Sequence, residues 1–425
     1  MTPASSSNAA TGPTGPRLQV PKLPALGWAT FLGAKHSSVP CVLDARPLKY
    51  TTSGRAAIAL ALRELGIGAG DSVLVPTYHC PTMVAPVVAT GATPVFFPVD
   101  GTGGPHLDSL VRCDRTKLRA MIAAHYFGVP QPMAKLRSFC DERGISLIED
   151  CAHALFGVSD DRPVGQWGDF AVASLTKFLP VMDGGCLISK RPLASPSLAI
   201  SMTDQIKSFA NAAEIGARHG RLPGLNGIVS AATRAARSMR ISPVKFPPSR
   251  DGIPSTDTNK WLSDFSPPSS VNRSASWWTQ WTVRHAHRAR IVDLRRRNYL
   301  ALASLVHDIE GVRPLIPSLP ENAVPYVFPL FVDAPETIYQ HARASGMPLF
   351  RWDELWPTCP TIPGDHGLTW ASHVFQIGCH QDLRPIDLQH IAEVIRTLVS
   401  DGGRDPKEQP FHVRPTARDP RLGRA

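Results

Sequence analysis

Long apolar runs are missing from this 425-residue chain; none approaches the roughly 18 residues that a membrane-spanning helix requires. A bilayer anchor is therefore not expected, and a cytoplasmic protein is. Paired cysteines are missing as well. The eight present, Cys41, Cys80, Cys113, Cys140, Cys151, Cys186, Cys359 and Cys379, are scattered and form no CxxC pair. This argues against a disulfide framework or a zinc finger and leaves reduced thiols, with no metal expected. The first twenty residues, rich in Ser, Thr, Ala, Gly and Pro, lack the apolar core of a signal peptide and read as a disordered leader.

The formal charge of +10 is not accompanied by aromatic-interleaved basic motifs. Arg284, Arg288, Arg290, Arg295, Arg296 and Arg297 fall in one predicted helix, and a second basic run occupies the tail at 401–425. Charge on a solvated helix face and in a disordered tail serves solubility, so nucleic acid is not an expected partner.

The length accommodates a large domain with a smaller one, predicted at 21–280 and 281–400, with a variable insertion or loop at 201–268. Strand-like and helix-like segments alternate through the first half. Helices are predicted at 54–65, 82–90 and 133–143, and strands at 72–75, 94–99, 119–124, 145–149, 170–175 and 185–189. This spacing predicts an α/β fold with a mainly parallel, helix-covered sheet. Further on, a strand at 325–332 and helices at 335–345 and 383–398 follow the arginine-rich helix.

Ligands of such sheets gather at the carboxyl ends of the strands, which makes the polar residues there informative. Asp150 follows one strand, His125 another, and Ser174 with Lys177 a third, so all are expected to face one crevice. Ser53-Gly54-Arg55 opens the first helix, where free amides and the positive dipole end form a phosphate seat.

These residues occur in ordered blocks: Thr52 to Ala57, His125-Tyr126-Phe127-Gly128, Glu149 to Ala154, Gly168-Asp169-Phe170, and Ser174 to Lys177 followed by Asp183-Gly184-Gly185. Together they resemble the DegT/DnrJ/EryC1/StrS family of fold type I, pyridoxal 5'-phosphate-dependent sugar aminotransferases. By that resemblance Lys177 is the Schiff-base lysine, Asp150 the carboxylate facing the pyridine nitrogen, and His153 the neighbour of the phenolic oxygen. Ser53, Gly54, Arg55 and Ser174 are the phosphate contacts, and Tyr78 or His79 stacks on the ring. A carboxylate about 4 Å from the ring nitrogen favours its protonated form by up to roughly 4 kcal/mol at an effective dielectric near 20. That would keep the ring an electron sink at neutral pH.

The resemblance implies transfer of an amino group, with glutamate as the expected donor, to a nucleotide-linked keto-sugar in polysaccharide biosynthesis. It further implies a homodimer with shared sites. A pyridoxal-phosphate enzyme of different outcome, and a non-catalytic scaffold with the same fold, stay open at this level. Beyond residue 190 the resemblance thins; Asn226 is a candidate phosphate contact, and His380 either lines the substrate site or caps the last helix.

Overall fold

The computed structural model describes residues 20–32, 39–107, 110, 116–225, 227, 231, 258–265 and 271–400. The expected tail, nearly all of the expected leader, Cys113, Asn226 and most of 228–257 lie outside the described residues.

The described strands are β1 (Leu48–Thr51), β2 (Ser72–Pro76), β3 (Thr93–Phe97), β4 (Leu118–Ala124), β5 (Ser146–Asp150), β6 (Val158–Ser159), β7 (Arg162–Pro163), β8 (Phe170–Ser174), β9 (Gly185–Ser189), β10 (Val312–Pro314), β11 (Val327–Val332), β12 (Leu349–Phe350) and β13 (Val374–Gly378). The helices are α1 (Gly54–Glu64), α2 (Pro81–Ala89), α3 (Met133–Arg143), α4 (Met202–Arg218), α5 (Thr258–Phe265), α6 (Trp277–His285), α7 (Arg288–Val306), α8 (Pro335–Ala344), α9 (Gly367–His373) and α10 (Pro385–Ser400).

Seven strands form the main sheet in the order β1-β9-β8-β5-β4-β2-β3, with β9 antiparallel to both neighbours and the other pairings parallel. The mainly parallel α/β sheet expected from the alternation is present. Its strands are apolar on both faces, as a sheet covered on both sides requires. Val73, Val75, Ile122, Ile148, Val172 and Leu187 pack on one face with α1 and α2. Leu74, Met121, Leu147, Ala171, Cys186 and Ile188 pack on the other with α3 and α6. Burying each larger aliphatic side chain contributes about 1.5–3 kcal/mol.

A second, antiparallel sheet runs β10-β11-β13-β12. It is packed by Tyr299, Leu302 and Val306 of α7, by Ile338 of α8 and by Leu388, Ile391 and Ile395 of α10. Among the described residues no helix is long and apolar enough to cross a membrane.

The single arginine-rich helix expected from the sequence is two helices. Ala286 takes an extended conformation (φ −67°, ψ 137°), and His287 caps α7 by accepting from the Arg290 amide at 3.1 Å. Nor are all its arginines solvated. Arg295 is fully buried, and Arg296 donates to the carbonyls of Pro320 and Ala323. The core-facing side of α7 accommodates them because irregular backbone nearby leaves carbonyls without helix or sheet partners.

Candidate active site

Asp150 is the last residue of β5, and β8 ends at Ser174, immediately before the single turn Leu175–Lys177. This turn is fixed from two sides: the Leu175 amide donates to the Gly184 carbonyl at 3.0 Å, and the Gly184 amide donates to the Thr52 carbonyl at 2.8 Å. Gly185 lies so close to the start of α1 that a Cβ there would stand 2.4 Å from the carbonyl carbon of Ser53. Asp183 accepts from the Ser276 amide and the Thr279 hydroxyl, securing the same hairpin to the start of α6. The Asp183-Gly184-Gly185 block therefore joins the lysine turn, the first turn of α1 and α6.

Lys177 Nζ stands 5.1 Å from the centre of the Tyr326 ring and 6.0 Å from that of Trp352. Burial lowers its ammonium pKa from the ordinary lysine value, opposed by Asp150 and Cys80. Burial raises the Asp150 carboxyl, partly offset by a hydrogen bond from the Ala152 amide (2.8 Å) and by Lys177. Each loses solvent, and each is the other's charge partner.

His153 is almost wholly buried, and its ring centre is 4.4 Å from Tyr326 and 4.7 Å from Trp352. Burial and, after it, the nearby Lys177 push its pKa well below the ordinary histidine value, so the ring is neutral. Nδ1 accepts from the Phe127 amide at 3.4 Å, which puts the proton on Nε2. That nitrogen is buried with no hydrogen-bond partner among the described residues. The result is an available hydrogen-bond donor beside the lysine.

At the start of α1 the Ser53 hydroxyl accepts from the Ala56 amide at 3.3 Å, so it serves as an N-cap. A Cβ on Gly54 would meet Ser174 Cβ at 3.4 Å, so the helix start and Ser174 are in contact distance. Ser174 Oγ and Thr176 Oγ1 are 3.5 Å apart. Arg55 reaches the Phe265 carbonyl at 3.5 Å, and burial lowers its pKa. The Thr52 hydroxyl is buried without a partner among the described residues. Helix amides, small residues and open hydroxyls are a donor set suited to a phosphate.

Tyr78 and His79 stand differently. Tyr78 is fully buried among Tyr126, Phe127, Trp352 and Trp370, and its hydroxyl accepts from Gln376 Nε2 at 3.1 Å. His79 is fully buried, with Nε2 accepting from the Trp356 amide at 2.8 Å and Nδ1 3.0 Å from the Pro76 carbonyl. Both pack as core, because this loop is roofed by the segment carrying Trp352 and Trp356. His125 also fails to reach the crevice. Its Nε2 donates to Glu149 (3.0 Å) and its Nδ1 accepts from the Gln131 amide (2.9 Å). Glu149 further accepts from the amides of Gly165, Trp167 and Gly168. Cys151 completes a buried His125, Glu149, Cys151 group, but its histidine has both ring nitrogens engaged within the protein. His380 is likewise internal, donating from Nε2 to the Pro21 carbonyl at 2.9 Å.

Tyr326, Trp352 and Cys80 were not singled out by the sequence. Tyr326 reaches Lys177 because the Phe127-Gly128 turn docks on it: the Tyr326 amide donates to the Phe127 carbonyl at 2.8 Å. Phe127 and Gly128 both have left-handed φ (58° and 95°), and a Cβ on Gly128 would stand 2.2 Å from the Val324 carbonyl oxygen. The His125-to-Gly128 block was the available signal for that docking; Trp352 and Cys80 had none beyond residue type.

Residues 48–205 match the model of the DegT/DnrJ/EryC1/StrS aminotransferase family. Over 165 residues the chain is 33% identical to GDP-perosamine synthase of Vibrio cholerae, covering 38% of this chain and 42% of that protein. Over 137 residues it is 38% identical to dTDP-3-amino-3,4,6-trideoxy-alpha-D-glucose transaminase of Streptomyces venezuelae, covering 32% and 35%. The chain thus spans about two fifths of the length of these curated relatives. The fold likeness extends further. A solved aminotransferase of Psychrobacter cryohalolentis superposes with a TM-score of 0.56 at 18% identity, covering 85% of this chain and 89% of that one. The fold is that of these aminotransferases, whose family is dependent on pyridoxal phosphate. Over residues 48–205 the chain is thus similar to the DegT/DnrJ/EryC1/StrS aminotransferase family.

Proposed function

We propose that this protein is a pyridoxal-phosphate-dependent aminotransferase that moves an amino group from an amino-acid donor, glutamate first among candidates, to the keto group of a nucleotide-linked sugar. The observation that carries the reading is the desolvated Lys177 amine beside buried Asp150 and the open Nε2 donor of His153. When bound, pyridoxal phosphate supplies an aldehyde that takes up amines and a ring that accepts electron density.

The residues present suit that group. Lys177 would hold it covalently, and its lowered pKa keeps a fraction of the amine unprotonated, able to attack and afterwards to carry a proton to and from the substrate α-carbon. Asp150 would hold a proton at the ring nitrogen, where a cationic partner stabilises a carboxylate that burial otherwise disfavours. His153, neutral and donating from Nε2, would hydrogen-bond the phenolic oxygen. Ser53, Gly54, Arg55 and Ser174, with the amides at the start of α1, would hold the phosphate. Tyr326 and Trp352 would wall off water near the amine.

Two sheets, the second with a core of its own against α7, α8 and α10, support a division into a large domain to about residue 280 and a smaller one over 281–400. A homodimer is supported by the exposed aromatic face of Phe209, Trp277 and Trp281, and a cytoplasmic location by free cysteines among the described residues. The function is tested by supplying pyridoxal phosphate and an isotopically labelled amino donor with candidate keto-sugar nucleotides. Label in the sugar product supports it; a protein that acquires no cofactor absorbance overturns it.

A further inference from the structure

Arg295 is fully buried on α7, yet among the described residues no carboxylate hydrogen-bonds to it. Its guanidinium donates to the carbonyls of Lys177 (2.7 Å), Pro325 (3.1 Å) and Tyr326 (3.0 Å) and to Oε1 of Gln381 (2.9 Å). Its Cζ lies 4.4 Å from the centre of the Phe178 ring. Gln381 turns its amide the other way and donates to the Phe178 carbonyl at 2.9 Å. Burial lowers the Arg295 pKa to about 10, so the group stays charged at neutral pH.

A buried cation with no hydrogen-bonded carboxylate is costly, even with the Asp382 carboxylate in its field, and a helix that needed only packing there would be served by an aliphatic residue. What the guanidinium adds is a rigid fork reaching several acceptors at once. Those acceptors belong to three separate stretches of chain. Lys177 ends the turn after β8 of the main sheet, whereas Pro325 and Tyr326 lead into β11 of the second sheet. Gln381, following β13, closes the same connection from the second-sheet side.

We infer that Arg295 is a positioning residue, tying the backbone of Lys177 to that of Tyr326 and thereby setting where the lysine amine stands. The inference rests on the reading of Lys177 as the cofactor-holding lysine. The link has a direct geometric consequence. The Tyr326 ring is 5.1 Å from Lys177 Nζ and 4.4 Å from the His153 ring, so the clamp that fixes Tyr326 also fixes the enclosure of the amine. Released from it, the Lys177 turn keeps its main-sheet hydrogen bonds and the Gln381–Phe178 bond but loses its direct tie to Pro325 and Tyr326, and the amine gains access to water.

The test uses full-length wild type, Arg295→Gln, Arg295→Lys, Gln381→Leu and Lys177→Ala, purified without cofactor. Each is acetylated with acetic anhydride across a pH series, and peptide mass spectrometry reads the extent at Lys177 where it is present. In Arg295→Gln the labelling midpoint is expected to rise by about one pH unit, giving about tenfold less free amine at neutral pH. Arg295→Lys restores part of the shift, and Gln381→Leu moves it in the Gln direction by less.

A folded Arg295→Gln with the wild-type midpoint overturns the inference. So does failure of all three clamp variants to fold, which makes Arg295 a core residue only. Pyridoxal phosphate is then added to each and its absorbance recorded. Wild-type cofactor absorbance in Lys177→Ala overturns the reading of Lys177 itself, whereas loss there with an unmoved midpoint in Arg295→Gln overturns only the role of Arg295.

Discussion

Glu149 and Asp150 are consecutive on β5, so their side chains point to opposite sides of the main sheet, and both are buried. On one side Glu149 accepts from His125 and from three amides of the 165–168 loop. Burial pushes its carboxyl up, but these bonds, His125 foremost, bring it below the ordinary glutamate value. On the other side Asp150 accepts from the Ala152 amide, and burial leaves its carboxyl raised. The two histidines repeat the contrast. His125 has both nitrogens engaged, while His153 leaves Nε2 open. One side is a saturated knot that fixes strand ends and loop; the other holds groups whose hydrogen-bonding capacity is not spent within the protein.

The contrast can be broken by substitution. Lys177→Ala should abolish turnover, by about 10³-fold or more in initial rate, with an unchanged far-UV circular dichroism spectrum. Asp150→Asn should lower turnover by about 10²–10⁴-fold while changing stability in urea by less than about 1 kcal/mol, since a buried carboxylate is exchanged for a neutral isostere. Glu149→Gln should show the reverse, losing about 3 kcal/mol in urea unfolding because the knot loses its charge, with turnover per folded molecule reduced much less. If Asp150→Asn destabilised more than Glu149→Gln, the division into the two sides would be wrong.

A last effect, spread over the whole fold, is acid sensitivity. His79 and His380 are held neutral by burial, with pKa values lowered from 6.5 to about 4 and about 3, and His153 is lowered too. The unfolded chain takes up protons below about 6.5 that the folded chain refuses, so stability is complete above that pH and falls as pH drops toward 4. The loss per histidine is at most about 1.4 kcal/mol per pH unit. Thermal melts across this range measure it, and His380→Gln should flatten the decline.

Much of this was legible in the chain. Lys177, Asp150 and the start of α1 sit at strand ends inside short contiguous blocks, where local pattern and the parallel-sheet rule point the same way. Strand β1, only four residues long and antiparallel to β9, had too little pattern to register. Tyr78 and His79 follow β2, where the resemblance expects a ring-stacking residue; that the segment with Trp352 and Trp356, nearly 280 residues later, packs on both was not legible. Arg295 was read as solvated because it lies among other arginines, and its partner carbonyl at Lys177 is 118 residues away. Helix periodicity shows which residues share a face, but not which distant carbonyls await that face.

The absence of a side chain at Gly185 makes it a gauge. With Ser53 and the Gly54 amide within 3 Å of where a Cβ would be, β9 and the first turn of α1 have a fixed spacing. Any larger residue would have to move the helix start away from the strand. Because the Lys177 turn hangs on the neighbouring Gly184 carbonyl, the same displacement would alter the distance between the start of α1 and the lysine amine. The spacing of the two is thus set by the thickness of a hydrogen atom at position 185.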